Sequence, residues 1–361
     1  MRSFPILITL IAASCSHAPT PKPAPSFPVE IGQAVQQNTP IFIEALGHVE
    51  SITSIEIRSR IEGELTGVFF TQGQEVKQGD LLFTIDSKPY EAALKQAQGT
   101  LEESLANLAL AEEKVKRYKI LAKDEYYSQI DYETLQANQA ATAALVQQNQ
   151  AALDSAAINL DYCWIYAPID GMLGILNVDY GNLVASPDGA TTPLVTLNQM
   201  TPIYVTFSIP EYQIPQVQKA YRKNELQVLA AYDDFTGETF SGKLFMLDNA
   251  VDQQTGMIKL RAIFENDERQ LWPGQFVRAR LILSTMPDAV IIPFSAVQMT
   301  LSDPIVFIAK DDNTVEQRTV KLGQRDGENV IALSGVKGGE KIITDGQINL
   351  YPGAKIFVPG T

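Results

Sequence analysis

Side chains that could do chemistry are few in this sequence, and their spacing works against most reactions. There are two histidines, His17 and His48, and two cysteines, Cys15 and Cys163. A hydrolase needs a nucleophile with a base aimed at it. His48 stands next to Gly47 in a run that reads as a strand, which makes a Ser/His or Cys/His arrangement a poor fit. A disulfide framework and a Cys/His zinc site both fail by count. The acidic doublets Asp124-Glu125, Asp233-Asp234 and Asp311-Asp312 fall at expected turns, where solvated carboxylates are the plainer reading than a general acid–base pair. No glycine loop of the phosphate-binding kinds occurs. A soft-metal relay would need clustered ligands, yet Met172, Met200, Met246, Met257, Met286 and Met299 are scattered. The expectation is a protein with no catalytic residue, no metal and no cofactor. A net charge of −14 also speaks against a basic face for nucleic acid.

One cysteine has a different use. Arg2 is followed by a short apolar run, residues 4–13, too short to span a bilayer. The run ends in Ala12-Ala13-Ser14-Cys15, small residues leading to a cysteine, which resembles a bacterial lipoprotein signal. Cys15 is then the expected lipid attachment site and the mature N-terminus. The alternative is ordinary signal cleavage nearby, with Cys15 discarded or left free. Pro19, Pro21, Pro23, Pro25 and Pro28 follow, so residues 16–34 read as a stiff extended tether.

The elements behind these residues centre on residues 88–160. Leu94, Leu101, Leu108 and Val115 recur every seven positions, with Ala97, Ala111 and Tyr118 three further on. Tyr132, Leu135, Val146, Leu153, Ala156 and Leu160 continue the pattern after a break at residues 122–127. That is an α-helical hairpin with a narrow seam. Each helix of roughly 33 residues would span about 50 Å, too long to lie inside a small globule. Residues 55–87 and 161–196 on either side are β-rich. Shifted by 108 positions they align: Ile61 on Ile169, Gly63 on Gly171, Leu65 on Leu173, Gly73 on Gly181 and Val76 on Val184. Two half-sheets facing each other as one sandwich, split by the hairpin, are the expected result.

Residues 197–285 alternate strictly in three runs (Ile203-Val205-Phe207-Ile209, Ile258-Leu260-Ala262-Phe264 and Val277-Ala279-Leu281-Leu283), with a short helix near residues 211–223. A small closed barrel is predicted. Residues 286–361 read as strand and turn. Residues 35–54, with no obvious partner, are assigned to them as one β domain. The fold class is therefore multi-domain and mostly β, with a split lipoyl-like sandwich, an inserted helical hairpin, a β-barrel and a terminal β domain.

The runs LDYCWIYAPIDGMLGILNVDYGNLV, FSGKLFMLDNAVDQQTGMIKLRAIFENDERQLWPGQFVRARLIL and VIIPFSAVQ resemble the signature segments of periplasmic adaptor subunits. These are the membrane fusion proteins of tripartite efflux pumps that serve resistance-nodulation-division transporters. The resemblance implies a periplasmic chain, held at the inner membrane by its N-terminal lipid. It also implies an inner-membrane transporter and an outer-membrane channel as partners, self-association into a ring of six, and a membrane-proximal role for the terminal β domain. Energy for export would come from the transporter. At the hairpin tip, the family's contact with the channel uses an Arg, a Leu and a Ser with three and six residues between them. Arg117, Leu121 and Ser128 match that spacing. Leu121 falls one position off the heptad register, and Ser128 suits the N-cap of the returning helix, its hydroxyl accepting a backbone N–H. Two other readings are a metal-cation efflux adaptor and a lipoyl-like carrier modified at Lys88. Cys163, where the family commonly has Thr, reads as a buried thiol.

Overall fold

The structure, a computed structural model, describes residues 26–123, 128–184, 193–301 and 303–359. It divides into two compact units: Glu44–Leu281, and the residues up to Ile43 together with Ile282–Thr361.

In the larger unit, helix α1 runs Lys88–Lys123 and helix α2 runs Gln129–Asp161. The heptad seam is where the sequence puts it. Leu101, Ser104 and Ala111 are buried, Leu94, Ala97, Leu108, Val115 and Tyr118 half-buried, and the other described side chains between Glu91 and Leu121 are exposed. On α2, Tyr132, Leu135, Val146, Leu153, Ala156 and Leu160 face the seam, but none is fully buried. At 1.5 Å per residue α1 is about 54 Å long.

The sandwich comprises two four-stranded sheets. One is ordered Leu183–Val184, Gly63–Val68, Leu81–Ile85, Trp164–Tyr166; the other Ser54–Ile57, Val195–Asn198, Gly171–Leu173, Glu75–Val76. The 108-residue repeat is real, but its two halves do not each form a sheet. They exchange strands. Glu64 pairs with Leu183, and Met172 with Glu75, which is the same pairing with the halves swapped. The Leu65 N–H donates to the Asn182 carbonyl at 2.9 Å, and the Leu173 N–H donates to the Gln74 carbonyl at 2.9 Å. The matched glycines turn the chain in the same way, Gly73 at φ 78° and Gly181 at φ 84°, where a side chain would be strained. Interleaving puts both halves into one core of Leu65, Leu82, Phe83, Cys163, Leu173 and Leu197. A half-sheet of two or three short strands would have left its apolar face and edges bare.

The barrel also closes with a strand that the sequence assigns elsewhere. Ile203–Pro210 pairs on one side with Met257–Phe264 and on the other with residues 47–51 of the long strand Val35–Ser51. Gln227–Ala231 pairs with both Thr239–Asp252 and Phe276–Pro293, completing the ring. Of residues 35–54, assigned to the terminal β domain, residues 44–51 therefore belong to the larger unit with the barrel and Ser54 pairs in the sandwich, where residues 55–57 were expected. The physical reason is the barrel's need for a closing strand: Val49 is 1% exposed and fills the interior with Val205, Leu260 and Ala279. Helix α3, Ile214–Tyr221, buries Val217, and its Tyr221 hydroxyl donates to the Phe245 carbonyl at 3.2 Å. Gly274 sits at φ 85° after Pro273, and the Gln275 N–H reaches the Trp272 carbonyl at 3.1 Å, as in a type II turn.

In the smaller unit, Ile305–Ala309 and Val315–Thr319 form a hairpin. Lys341–Asp345 adds to that sheet and pairs in turn with Glu30–Gln33, while Ser26–Pro28 runs parallel to Lys355–Phe357. The tether assigned to residues 16–34 therefore ends before Ser26. Val29 and Ala34, 2% and 1% exposed, anchor residues 26–34 in the core.

Candidate interaction site at the hairpin tip

The last two turns of α1 present side chains that the seam does not use. Arg117 is exposed and lies 3.8 Å from Glu113 one turn back, an ion pair that leaves most of its donors in solvent. Leu121 is 40% exposed. Four residues apart, the two share one helix face. Two neighbours missing from the sequence reading join them: Ile120 at 65% and Ile130, one turn into the facing helix, at 74% exposure. Their signal was available, since both fall outside the heptad register. Ser128 holds the N-cap position of α2 with extended backbone (φ −63°, ψ 133°), and its carbonyl accepts the Tyr132 N–H at 3.1 Å. Its hydroxyl makes no capping bond, contrary to expectation. It stays available to another molecule. Asp124 and Glu125 lie outside the described residues, as does Cys15.

The remaining chemical candidates are accounted for by structure. Lys88 is the first residue of α1, with its N–H on the Asp86 carboxylate at 3.2 Å; it is not at a β-turn as a carrier lysine would be. Cys163 is fully buried, and burial, with the Asp86 and Glu91 charges behind it, pushes its thiol up. The His48 ring Nε2–H donates to the Glu50 carboxylate at 2.7 Å. Glu50 also accepts from Thr206 at 2.7 Å and from Arg261 at 3.2 Å, tying three barrel strands together. Burial raises the Glu50 carboxyl, but the bonds from Thr206 and His48 and the charges of His48 and Arg261 outweigh it and hold the group below its ordinary value. Asp233 and Asp312 each accept backbone and hydroxyl hydrogens in their own turns. Among the described residues no three His, Cys, Asp or Glu side chains gather as a metal site, and no helix is long and apolar enough to cross a membrane.

An interleaved sandwich that carries a long two-helix arm, followed by a closed barrel and a small β unit, is the architecture of a modular adaptor. Three segments match family descriptions: residues 53–198 "RND MFP, barrel-sandwich hybrid domain", residues 202–285 "RND MFPs, beta-barrel domain" and residues 288–348 "RND MFPs, C-terminal permuted SH3 domain". Relatives named "Multidrug resistance protein MdtA" from Pantoea ananatis and Proteus mirabilis are each 38% identical over 335 residues, covering 92% of this chain and 81% of theirs. MacA from Actinobacillus actinomycetemcomitans shares the fold, with TM-score 0.58 and 22% identity over 87% of this chain and 99% of that one. A MacA–MexA chimera with the Pseudomonas aeruginosa MexA α-hairpin gives TM-score 0.55 and 25% identity, over 86% and 99%. The chain belongs to the RND membrane fusion proteins, a family of adaptors and not of enzymes.

Proposed function

We propose that this chain is the periplasmic adaptor of a tripartite efflux pump, coupling a proton-driven inner-membrane RND transporter to an outer-membrane channel for the export of drugs or other small molecules. The observation that carries this reading is the hairpin tip: a helix pair about 54 Å long ends in exposed Leu121, Ile120 and Ile130 beside Arg117. An apolar cluster of this kind on a solvated arm calls for a partner surface. The MdtA relatives, named for multidrug resistance, supply the class of cargo. In this reading Arg117, Leu121 and Ser128 contact the channel, Cys15 carries the lipid that holds the chain at the inner membrane, and several copies, six by the family's pattern, form a ring. Metal export finds less support, because the described residues gather no ligand set. The test is in vivo crosslinking of the full chain followed by purification. An RND transporter and an outer-membrane channel should be recovered, and deletion of the gene should sensitise cells to drugs. Recovery of neither membrane partner would reject the adaptor role.

A further inference from the structure

A cleft in the larger unit plays no part in the contacts above. Both sheets of the sandwich end on one side in a strand with a free edge. Among the described residues, Ser54–Ile57 pairs only with Val195–Asn198, and Trp164–Tyr166 pairs only with Leu81–Ile85. Between these edges lies an open cleft of about 540 Å³, the size of a small-molecule site. Its lining is aromatic and apolar, with Ile55, Tyr162, Trp164, Tyr166 and Pro168, and Tyr166 is half-exposed.

The charges in the cleft differ in how far they are satisfied. Glu56 and Arg58 are paired, Nε to Oε2 at 3.2 Å and Nη2 to Oε2 at 2.5 Å, and neutralise each other. Arg60 lies over the Tyr162 ring, 5.0 Å from its centroid, and has no carboxylate within ion-pair distance among the described residues. A cation held over a ring face keeps its N–H donors available to a further anion. Asp161, also unpaired, stands on the rim. An open cation over an aromatic floor selects a flat ring that bears an anionic group.

We propose that this cleft binds an aromatic anion, a carboxylate or sulfonate, with its ring against Trp164 and Tyr166 and its charge on Arg60. The inference is independent of the adaptor role. The chain has only two tryptophans, Trp164 and Trp272, so Trp272→Phe leaves the cleft residue as the sole indole reporter. Titration with anilinonaphthalene sulfonate should quench Trp164 saturably, with energy transfer to one probe per chain. Arg60→Gln should weaken binding about tenfold, as expected for the loss of a charge-assisted bond. Asp161→Asn should strengthen it. Phenylnaphthylamine, the same ring system without the sulfonate, should bind more weakly and ignore Arg60→Gln. Should Trp272→Phe not fold, the probe's own fluorescence in the parent chain gives the same answer, because Arg60→Gln must then weaken its saturable enhancement about tenfold. Equal binding of both probes, or Arg60→Gln without effect, overturns the proposal. So does displacement of the probe by self-association in sedimentation, which would show that a second copy fills the cleft.

Discussion

Arg117 and Leu121 are set by their register in a helix, and their roles can be separated from stability. Neither is buried and neither contributes to the seam. Leu121→Asp and Arg117→Asp should therefore abolish efflux while expression, melting and transporter association stay as in the parent. Normal drug resistance with both variants would remove the tip from the channel contact. That both lie off the seam was legible because a heptad gives every residue a phase; their contact with the channel is what the family resemblance implies and these variants test. The Ser128 hydroxyl was not, since capping depends on rotamer and not on spacing. Glu50 was out of reach as well: its partners Thr206 and Arg261 are 156 and 211 residues away, and only barrel closure brings them together. Its carboxyl is held below its ordinary value of 4.5, so the network's stabilisation is present above the unfolded-state value. It is lost as the pH falls through the lowered folded value. Glu50→Gln should accordingly melt below the parent at pH 7 and converge with it in acid below 4.5. A gap that persists in acid would assign the effect to packing. At Gly274, φ 85° excludes a β-branched side chain without strain. Gly274→Val should cost about 1–2 kcal/mol, a drop of roughly 2–8 °C; an unchanged melting temperature would reject the turn assignment.

The elements divide by how local their signals are. The hairpin and the alternating barrel strands are written within short windows, and both appear where the sequence puts them. Partner choice is not local. Residues 47–51 and 26–34 carry ordinary strand patterns that do not say which sheet has room for them, and closure of the barrel and extension of the terminal sheet decide it. The sandwich illustrates the same limit, since a repeat of 108 residues fixes equivalence without fixing whether halves pair within or between themselves. Because the sandwich core draws on both flanks of the hairpin and on little of the hairpin itself, the arm should be removable. Deleting residues 91–159 and joining Tyr90 to Leu160 through a short turn keeps the Tyr90 hydroxyl bond to the Glu62 carbonyl at 2.6 Å and the Leu160 packing. Cooperative melting near that of the parent is expected by circular dichroism, with efflux lost. A broad, non-cooperative transition would show that the sandwich needs its insert.

At the scale of the molecule, the described chain is a set of β modules with one helical arm. If Cys15 is the anchor, a Cys15→Ser variant exported by another signal should be recovered from the soluble periplasm in cells lacking the transporter. Its retention in the membrane pellet would point to an anchor elsewhere. The strand exchange in the sandwich also orders events in time. Glu64 finds Leu183 only after about 120 intervening residues have been delivered, so strand Gly63–Val68, paired with Leu81–Ile85 inside its own half, must wait for its second partner. Closing so long a loop is costly in entropy, at about 0.6 kcal/mol for each doubling. Helices form within a microsecond or so, faster than distant strands meet. Once α1 and α2 have zipped together, the two flanks are held side by side and the open chain between partners falls to less than half, a saving of roughly 1 kcal/mol. The arm that reaches outward in the finished protein is thus also the device that brings the sandwich's ends within reach of each other, and a chain lacking a cohesive seam should be slow to mature even where every β strand is intact.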